Sequence, residues 1–280
     1  MAQQWEWEID NKTSWLSIRF KELLPFKDLL FRLVRKDFLS SYQQTLLGPF
    51  WVIFQPLVTV VTYVIVFHKV LGLSTLGVPT FLFYLSGITL WNLFSDLLIS
   101  ISNTFGQNLS IFSKVYFPRI IAPLSILLVI LIKFAIQLSF LLVVLAYYYF
   151  SGRLIFNPLK FFLFIPVIVT CIGFGFGAGL IFSVITVKYR DVLGLLQTIM
   201  RVLMFVCPIF YSLSMVPHNL VWFVNINPLS VQFELFRYSL FGEGQVSLIQ
   251  IAYSNIFMLV LLFSGIALFN KMGDRLIDIG

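Results

Sequence analysis

An all-α integral membrane fold with six transmembrane helices is what this sequence predicts, and three observations carry the prediction. Hydrophobic residues make up 59% of the 280 and charged residues 11%, with a mean hydropathy of +0.95, a balance that excludes an ordinary water-soluble core. The apolar residues fall into blocks of about 20, the length that spans hydrocarbon about 30 Å thick. Lys and Arg collect preferentially in alternate connections between those blocks, as in multi-pass proteins of fixed orientation.

The blocks are Phe50–Leu71, Pro79–Ser102, Ile120–Phe150, Leu159–Val187, a shorter broken run from about Met200 to Ser214, and Val246–Asn270. The third is long enough to tilt within the bilayer or project beyond it. Lys12, Arg19, Lys21, Lys27, Arg32, Arg35 and Lys36 precede the first block; Lys114 and Arg119, then Lys188, Arg190 and Arg201, then Lys271 and Arg275 lie on the same side. The other side holds Lys69, Arg153, Lys160 and Arg237. The excess places both termini in the cytoplasm. Residues 1–48 read as a cytoplasmic N-terminal segment, and 49–280 as one six-span transmembrane domain. Glu6, Glu8 and Asp10 stand where a signal peptide would carry its apolar core, so the first span is expected to act as its own insertion signal.

Before the first span, Phe26, Leu29, Leu30, Leu33, Val34 and Phe38 fall on one helical face, with Asp28, Arg32, Arg35 and Lys36 on the other. This predicts an amphipathic interfacial helix on the inner leaflet; a helix packed against a protein partner has the same pattern. Two cytoplasmic connections, Asn103–Arg119 and Lys188–Thr198, each accommodate one short helix and no catalytic domain. After the fifth run, Pro208, Pro217 and Pro228 interrupt a stretch that stays apolar. Irregular backbone at membrane depth needs protein or water to satisfy it, so the fifth span is expected to end early, with short re-entrant or gate helices between it and the sixth.

Several chemistries are missing. No G-x-x-x-x-G-K-[ST] phosphate loop occurs in the chain, so ATP is not bound here in the P-loop manner, and no cofactor is expected in this chain. His68 and His218 stand apart from one another in an H-E-x-x-H-free sequence; they read as hydrogen-bonded surface residues, and no metal site is expected. Cys171 and Cys207 lie in apolar stretches and read as small buried hydrophobes. The formal charge of +7 is scattered, with no dense basic run to neutralise successive phosphates, which argues against nucleic acid as a partner. No catalytic constellation is nominated.

Gly173, Gly175, Gly177 and Gly179 give two pairs at four-residue spacing in the fourth span, a signal for close helix packing in lipid. Asp96 and Lys133 are the deepest ionisable groups, roughly 9 Å and 20 Å along their spans at helical rise. That offset argues against a direct pair. Substrate contact, pairing and orientation towards water stay open for each. Of the aromatic residues, 18% of the chain, some face lipid, with Tyr147–Tyr149 fitting an interfacial belt; others are available to line a conduit and stack on sugar faces.

Ser41-Tyr42-Gln43-Gln44-Thr45-Leu46-Leu47-Gly48-Pro49-Phe50-Trp51, continuing to Gln55-Pro56, resembles the approach to the first span in permeases of polysaccharide-exporting (type 2) ABC transporters of the O-antigen, capsule and teichoic-acid class. Further blocks agree in order: Phe83–Gly87 with Trp91-Asn92, Lys114–Arg119, Val187–Val192, Pro208–Ser212 and Asn227-Pro228. Ser41 departs from the pattern, which commonly has a basic residue there; Arg35 and Lys36 are the nearest cations.

The resemblance implies a homodimer around a conduit, docked to two copies of a separate ABC ATPase subunit that binds ATP and Mg. The cargo it implies is a polyisoprenyl-pyrophosphate-linked polysaccharide, and the location a bacterial inner membrane. On that reading Lys114, Tyr116, Arg119, Lys188, Tyr189, Arg190 and Asp191 belong to coupling segments that meet the ATPase. Arg32, Arg35, Lys36 and Arg119 are head-group candidates, with topology and binding of anionic membrane lipid as their alternative role. Pro217, Trp222, Pro228, Glu234 and Arg237 fall in the external gate region; three-residue spacing also allows Glu234 and Arg237 simply to stabilise one helix face. Another cargo, such as a small lipid or amphiphile, or an intramembrane polymerase or ligase of lipid-linked glycans, are the alternative functions. Corresponding pairs of broken helices, the mark of a secondary transporter, are not found.

Overall fold

A computed structural model describes residues 24–106, 118–154, 158–244 and 246–273, and the described elements are all helical. Helix α1 is Lys27–Tyr42. Its predicted apolar face packs inward. Leu33 is buried together with Ile121 at the start of the third span, with Phe26, Leu29 and Leu30 half-buried around them. Part of that face is thus covered by the chain itself, and Arg32, Arg35 and Lys36 stay exposed on the opposite side.

A 3₁₀ turn with Gly48 at φ +52 and Pro49 next to it leads into α2, Trp51–Tyr63. A proline is accommodated in a first helical turn, where its N–H is not required. The helix then widens into a π-helical stretch, Val64–Val70. Helices α3 (Thr80–Ser102), α4 (Ile121–Phe150), α5 (Phe164–Lys188) and α9 (Leu248–Gly273) are the other long elements; a four-residue helical turn, Pro158–Phe161, precedes α5. Among the described residues, five helices are long and apolar enough to cross a membrane. Among them α3 is the most enclosed, packed mainly between α4 and α5.

The glycine pairs of α5 have the expected use, and each pair faces a different neighbour. A Cβ at Gly175 would stand 2.7 Å from the Leu97 side chain, and one at Gly179 2.7 Å from Ile101, both on α3. A Cβ at Gly177 would stand 2.8 Å from the backbone of Leu262 on α9. Small residues are what let these helix axes approach so closely.

The run from about Met200 to Ser214 is helical only in part. Its helix, α6, begins at Val192 and ends at Val206, so the connection expected over Lys188–Thr198 shrinks to the turn at Tyr189–Asp191. At about 1.5 Å per residue, α6 reaches roughly 22 Å, short of the hydrocarbon thickness. It stops at Cys207-Pro208 because proline offers no N–H and restricts the residue before it.

Residues His218–Ile226 form α7 and Pro228–Phe241 form α8. The Asn227 side chain caps α8 by accepting from the Leu229 N–H at 3.1 Å, and Gly242 ends it at φ +77. Almost all of α8 is buried. Trp91 packs on Phe233 and Phe83 on Arg237, so α8 runs antiparallel to α3. Its N-terminal end meets α9 through Ser254, which donates to Pro228 O at 2.8 Å and receives a 2.7 Å bond from Gln232.

Candidate functional site

Where the C-terminal end of α1 meets the first turns of α2, the chain leaves a hollow of about 400 Å³ against α3 and α4. Its walls are polar at regular helical spacing. Asn92 and Asp96 are one turn apart on α3, Lys133 and Gln137 one turn apart on α4, and Gln55 and Thr59 one turn apart on α2. Residues four apart share a helix face, so each helix turns one polar pair to the same space. Tyr42 at the end of α1, Thr45 in the linker and Trp51 at the start of α2 close the remaining side.

Asp96 is exposed to the hollow, whereas Ser95 and Leu97 on either side of it are buried. Asn92 Nδ2 donates to Gln137 Oε1 at 3.4 Å, and Gln137 Nε2 donates to Val52 O at 3.3 Å, so α2, α3 and α4 are joined by one amide chain. Lys133 Nζ stands 5.6 Å from the centre of the Tyr42 ring, within cation–π range. Burial, with the Asp96 carboxylate adding to it, pushes the Tyr42 hydroxyl above the ordinary phenol range, and the group remains a neutral donor. Asp96 and Lys133 line the same hollow, yet among the described residues they form no salt bridge with one another. The sequence reading missed Tyr42, Trp51, Gln55, Asn92 and Gln137 as partners of these two. The four-residue spacings Asn92/Asp96 and Lys133/Gln137 were the available signal.

A second constellation joins α8 to the segment after α6. Arg237 donates to Ile209 O at 2.8 Å and Tyr211 O at 2.9 Å, and contacts the Glu234 carboxylate at 3.4 Å. Glu234 in turn accepts from the Leu213 N–H at 3.1 Å, and the guanidinium lies 3.9 Å from the centre of the Phe83 ring. These residues do more than stabilise one helix face. They satisfy Ile209 O, Tyr211 O and the Leu213 N–H, backbone groups in a stretch that no α-helix or sheet covers. Around it, Phe210 packs on Tyr63, Phe67 and Phe205.

This arrangement sits in a chain whose residues 28–241 match the family model described as ABC-2 type transporter. The chain belongs to the ABC-2 type transporter family. Three curated relatives are each named O-antigen export system permease protein RfbA. Two, from Klebsiella pneumoniae, are 29% and 28% identical over 269 and 268 residues, covering 94% of this chain and 100% of each relative. One from Myxococcus xanthus is 26% identical over 196 residues, 69% of this chain and 72% of the relative.

Within this ABC-2 chain the other predicted residues are spread over the structure. Tyr189, Arg190 and Asp191 form an exposed turn between α5 and α6, and Lys188 Nζ lies 5.1 Å from the Tyr189 ring centre. Arg119 is half-buried just before α4, at the end where α1 packs. Lys114 and Tyr116 lie outside the described residues. Pro217 caps α7, Trp222 is exposed on it, and Pro228 starts α8; of the gate candidates only Glu234 and Arg237 meet. His68 Nδ1 is 3.1 Å from Leu73 O, and Cys171 and Cys207 are buried free thiols.

Proposed function

We infer that this chain is the membrane-spanning permease subunit of an ATP-driven exporter that moves a polyisoprenyl-pyrophosphate-linked polysaccharide of the O-antigen kind. The observation that carries this is the agreement along 94% of the chain, and the whole of each Klebsiella relative, with proteins named as O-antigen export permeases. The lack of a phosphate loop anywhere in the sequence supports placing ATP and Mg on a separate ATPase subunit, present in two copies beside a permease homodimer.

In this reading the protein lies in the bacterial cytoplasmic membrane with both termini inside, following the Lys/Arg asymmetry. The turn Lys188–Asp191 and the connection through Lys114, Tyr116 and Arg119 receive the ATPase. Closure of the nucleotide-loaded partner pushes these segments and switches the bundle between two arrangements. The α6–α8 region serves as the fifth of six crossings: α6 covers one side, while α7 and α8 act as re-entrant gate helices on the other, before α9. Arg32, Arg35, Lys36 and Arg119 attract the pyrophosphate to the inner surface.

A glycan-processing enzyme would need free catalytic groups in the segment between α6 and α9. Glu234 and Arg237 are instead buried and bonded to backbone groups of 209–213, which disfavours that alternative. The test is ATPase activity of the chain co-purified with its nucleotide-binding partner in lipid, paired with movement of a polyprenyl-pyrophosphate glycan into vesicles. Nucleotide-dependent movement supports the reading. A chain that retains no ATPase and moves no glycan, where a control exporter does, overturns it.

A further inference from the structure

We propose that the hollow between α1, α2, α3 and α4 is a carbohydrate subsite that holds one sugar ring of the transported glycan. The proposal deepens the exporter reading and rests on it for the source of the sugar.

The lining has the chemistry that a sugar demands. Each hydroxyl of a pyranose is both donor and acceptor, so a ring is held by donors and acceptors set side by side. Asp96 only accepts and Lys133 only donates, while the Gln55, Asn92 and Gln137 amides do both. All five line one space. The Asn92–Gln137–Val52 chain uses one N–H of Asn92 and one of Gln137 and fixes these amides in place, leaving their remaining capacity for a ligand. Trp51, 39% exposed at the rim, offers a flat ring face against which the C–H face of a sugar packs.

Other occupants fit less well. Lys133 is the one cation among the lining residues, and Asp96 shares its space, so a phosphate or pyrophosphate would meet a carboxylate. A metal ion would meet the lysine, and an acyl chain would leave the amides and both charges desolvated without partners. The volume of about 400 Å³ falls at the small end of ligand pockets, about 300–1,000 Å³, the scale of a mono- or disaccharide.

The experiment is saturation-transfer NMR on the full chain in lipid nanodiscs, with methyl glucoside, galactoside and mannoside and N-acetylglucosamine as probes. Wild type is expected to give a signal with at least one probe. Asp96→Asn keeps the side-chain shape, and Gln55→Leu changes an exposed position on α2; each is expected to weaken the signal at least five-fold with an unchanged melting midpoint. No signal from any probe, or signals equal in wild type and both variants, overturns the proposal. So does a zwitterionic phospholipid retained by wild type in native mass spectrometry and lost from both variants, with no sugar bound.

Nucleotide-dependent glycan export is scored in parallel. Export without probe binding removes the subsite and keeps the exporter. Probe binding without export removes the exporter and keeps a sugar site.

Discussion

The Thr186 hydroxyl donates to the carbonyl of Ser102 over 2.6 Å, tying the last turn of α5 to the last turn of α3. The two connections proposed for coupling begin immediately beyond these residues. Nearby, Phe105 stacks on Phe269 of α9 at 5.3 Å, so three helices are fastened at one end. In the exporter reading proposed above, a push on either connection would be delivered to a joined set of helix ends.

Thr186→Val removes that tie while keeping the branched shape, and leaves the Ser102 carbonyl without this donor. The expected cost to stability is about 1 kcal/mol, read as a modest fall in melting midpoint. ATPase activity of the assembled complex should persist while glycan movement per ATP hydrolysed falls. An unchanged transport-to-hydrolysis ratio would remove the tie from the coupling route.

Replacement of Tyr189, Arg190 or Asp191 by Ala alters an exposed turn. Membrane insertion and melting midpoint should stay at wild-type values, since surface substitutions away from packed features usually change stability by less than about 0.5 kcal/mol. Export should drop, along with retention of the ATPase partner on co-purification. Variants that export at the normal rate would take this turn out of the coupling interface.

Arg237→Met leaves the buried Glu234 carboxylate without its cation and takes this donor from the carbonyls of Ile209 and Tyr211. Breaking such a pair from one side typically costs about 3–5 kcal/mol, so a large fall in melting midpoint is expected. Trp222→Ala, at a position 62% exposed, should leave the midpoint near wild type. Equal midpoints for the two variants would contradict the anchoring role of Arg237.

Gly177→Val and Gly194→Ala should move in opposite directions. A Cβ at Gly177 meets the backbone of Leu262, which cannot swing aside, whereas nothing lies within 4 Å of one built at Gly194 in α6. The first is expected to lower the yield of folded protein and the melting midpoint. The second should hold or raise the midpoint, since Ala is favoured over Gly within a helix by about 0.5–1 kcal/mol. Tolerance of valine at Gly177 would show that α5 and α9 pack less closely than the structure has them.

Much of the architecture was legible because partition into lipid is a local property. The long apolar blocks became helices with bounds within a few residues of the expected ones, the α1 face that includes Leu33 and Val34 turned inward, and the α5 glycines became close-packing points. Expectation and structure parted at α6. Hydropathy marks the apolar run from Met200 to Ser214 but not where its helix begins, at Val192; the early end before Pro208 is the part the prolines made legible. Glu234 and Arg237 were visible as an i, i+3 pair, but their acceptors and donor at Ile209, Tyr211 and Leu213 lie more than twenty residues earlier, beyond any periodicity.

By itself the sequence determined the solvent, the long spans, the absence of an ATP phosphate loop and, through ordered motif blocks, the transporter class. Each depends on residue type and on spacing within one element. Only the tertiary structure decided that Asp96, Lys133, Gln55 and the Asn92–Gln137 pair share one polar hollow, and that Arg237 anchors residues 209–213. Those outcomes depend on how each helix is rotated about its axis and how far it slides past its neighbours, which is set by side-chain packing across helices rather than by the pattern along any one of them.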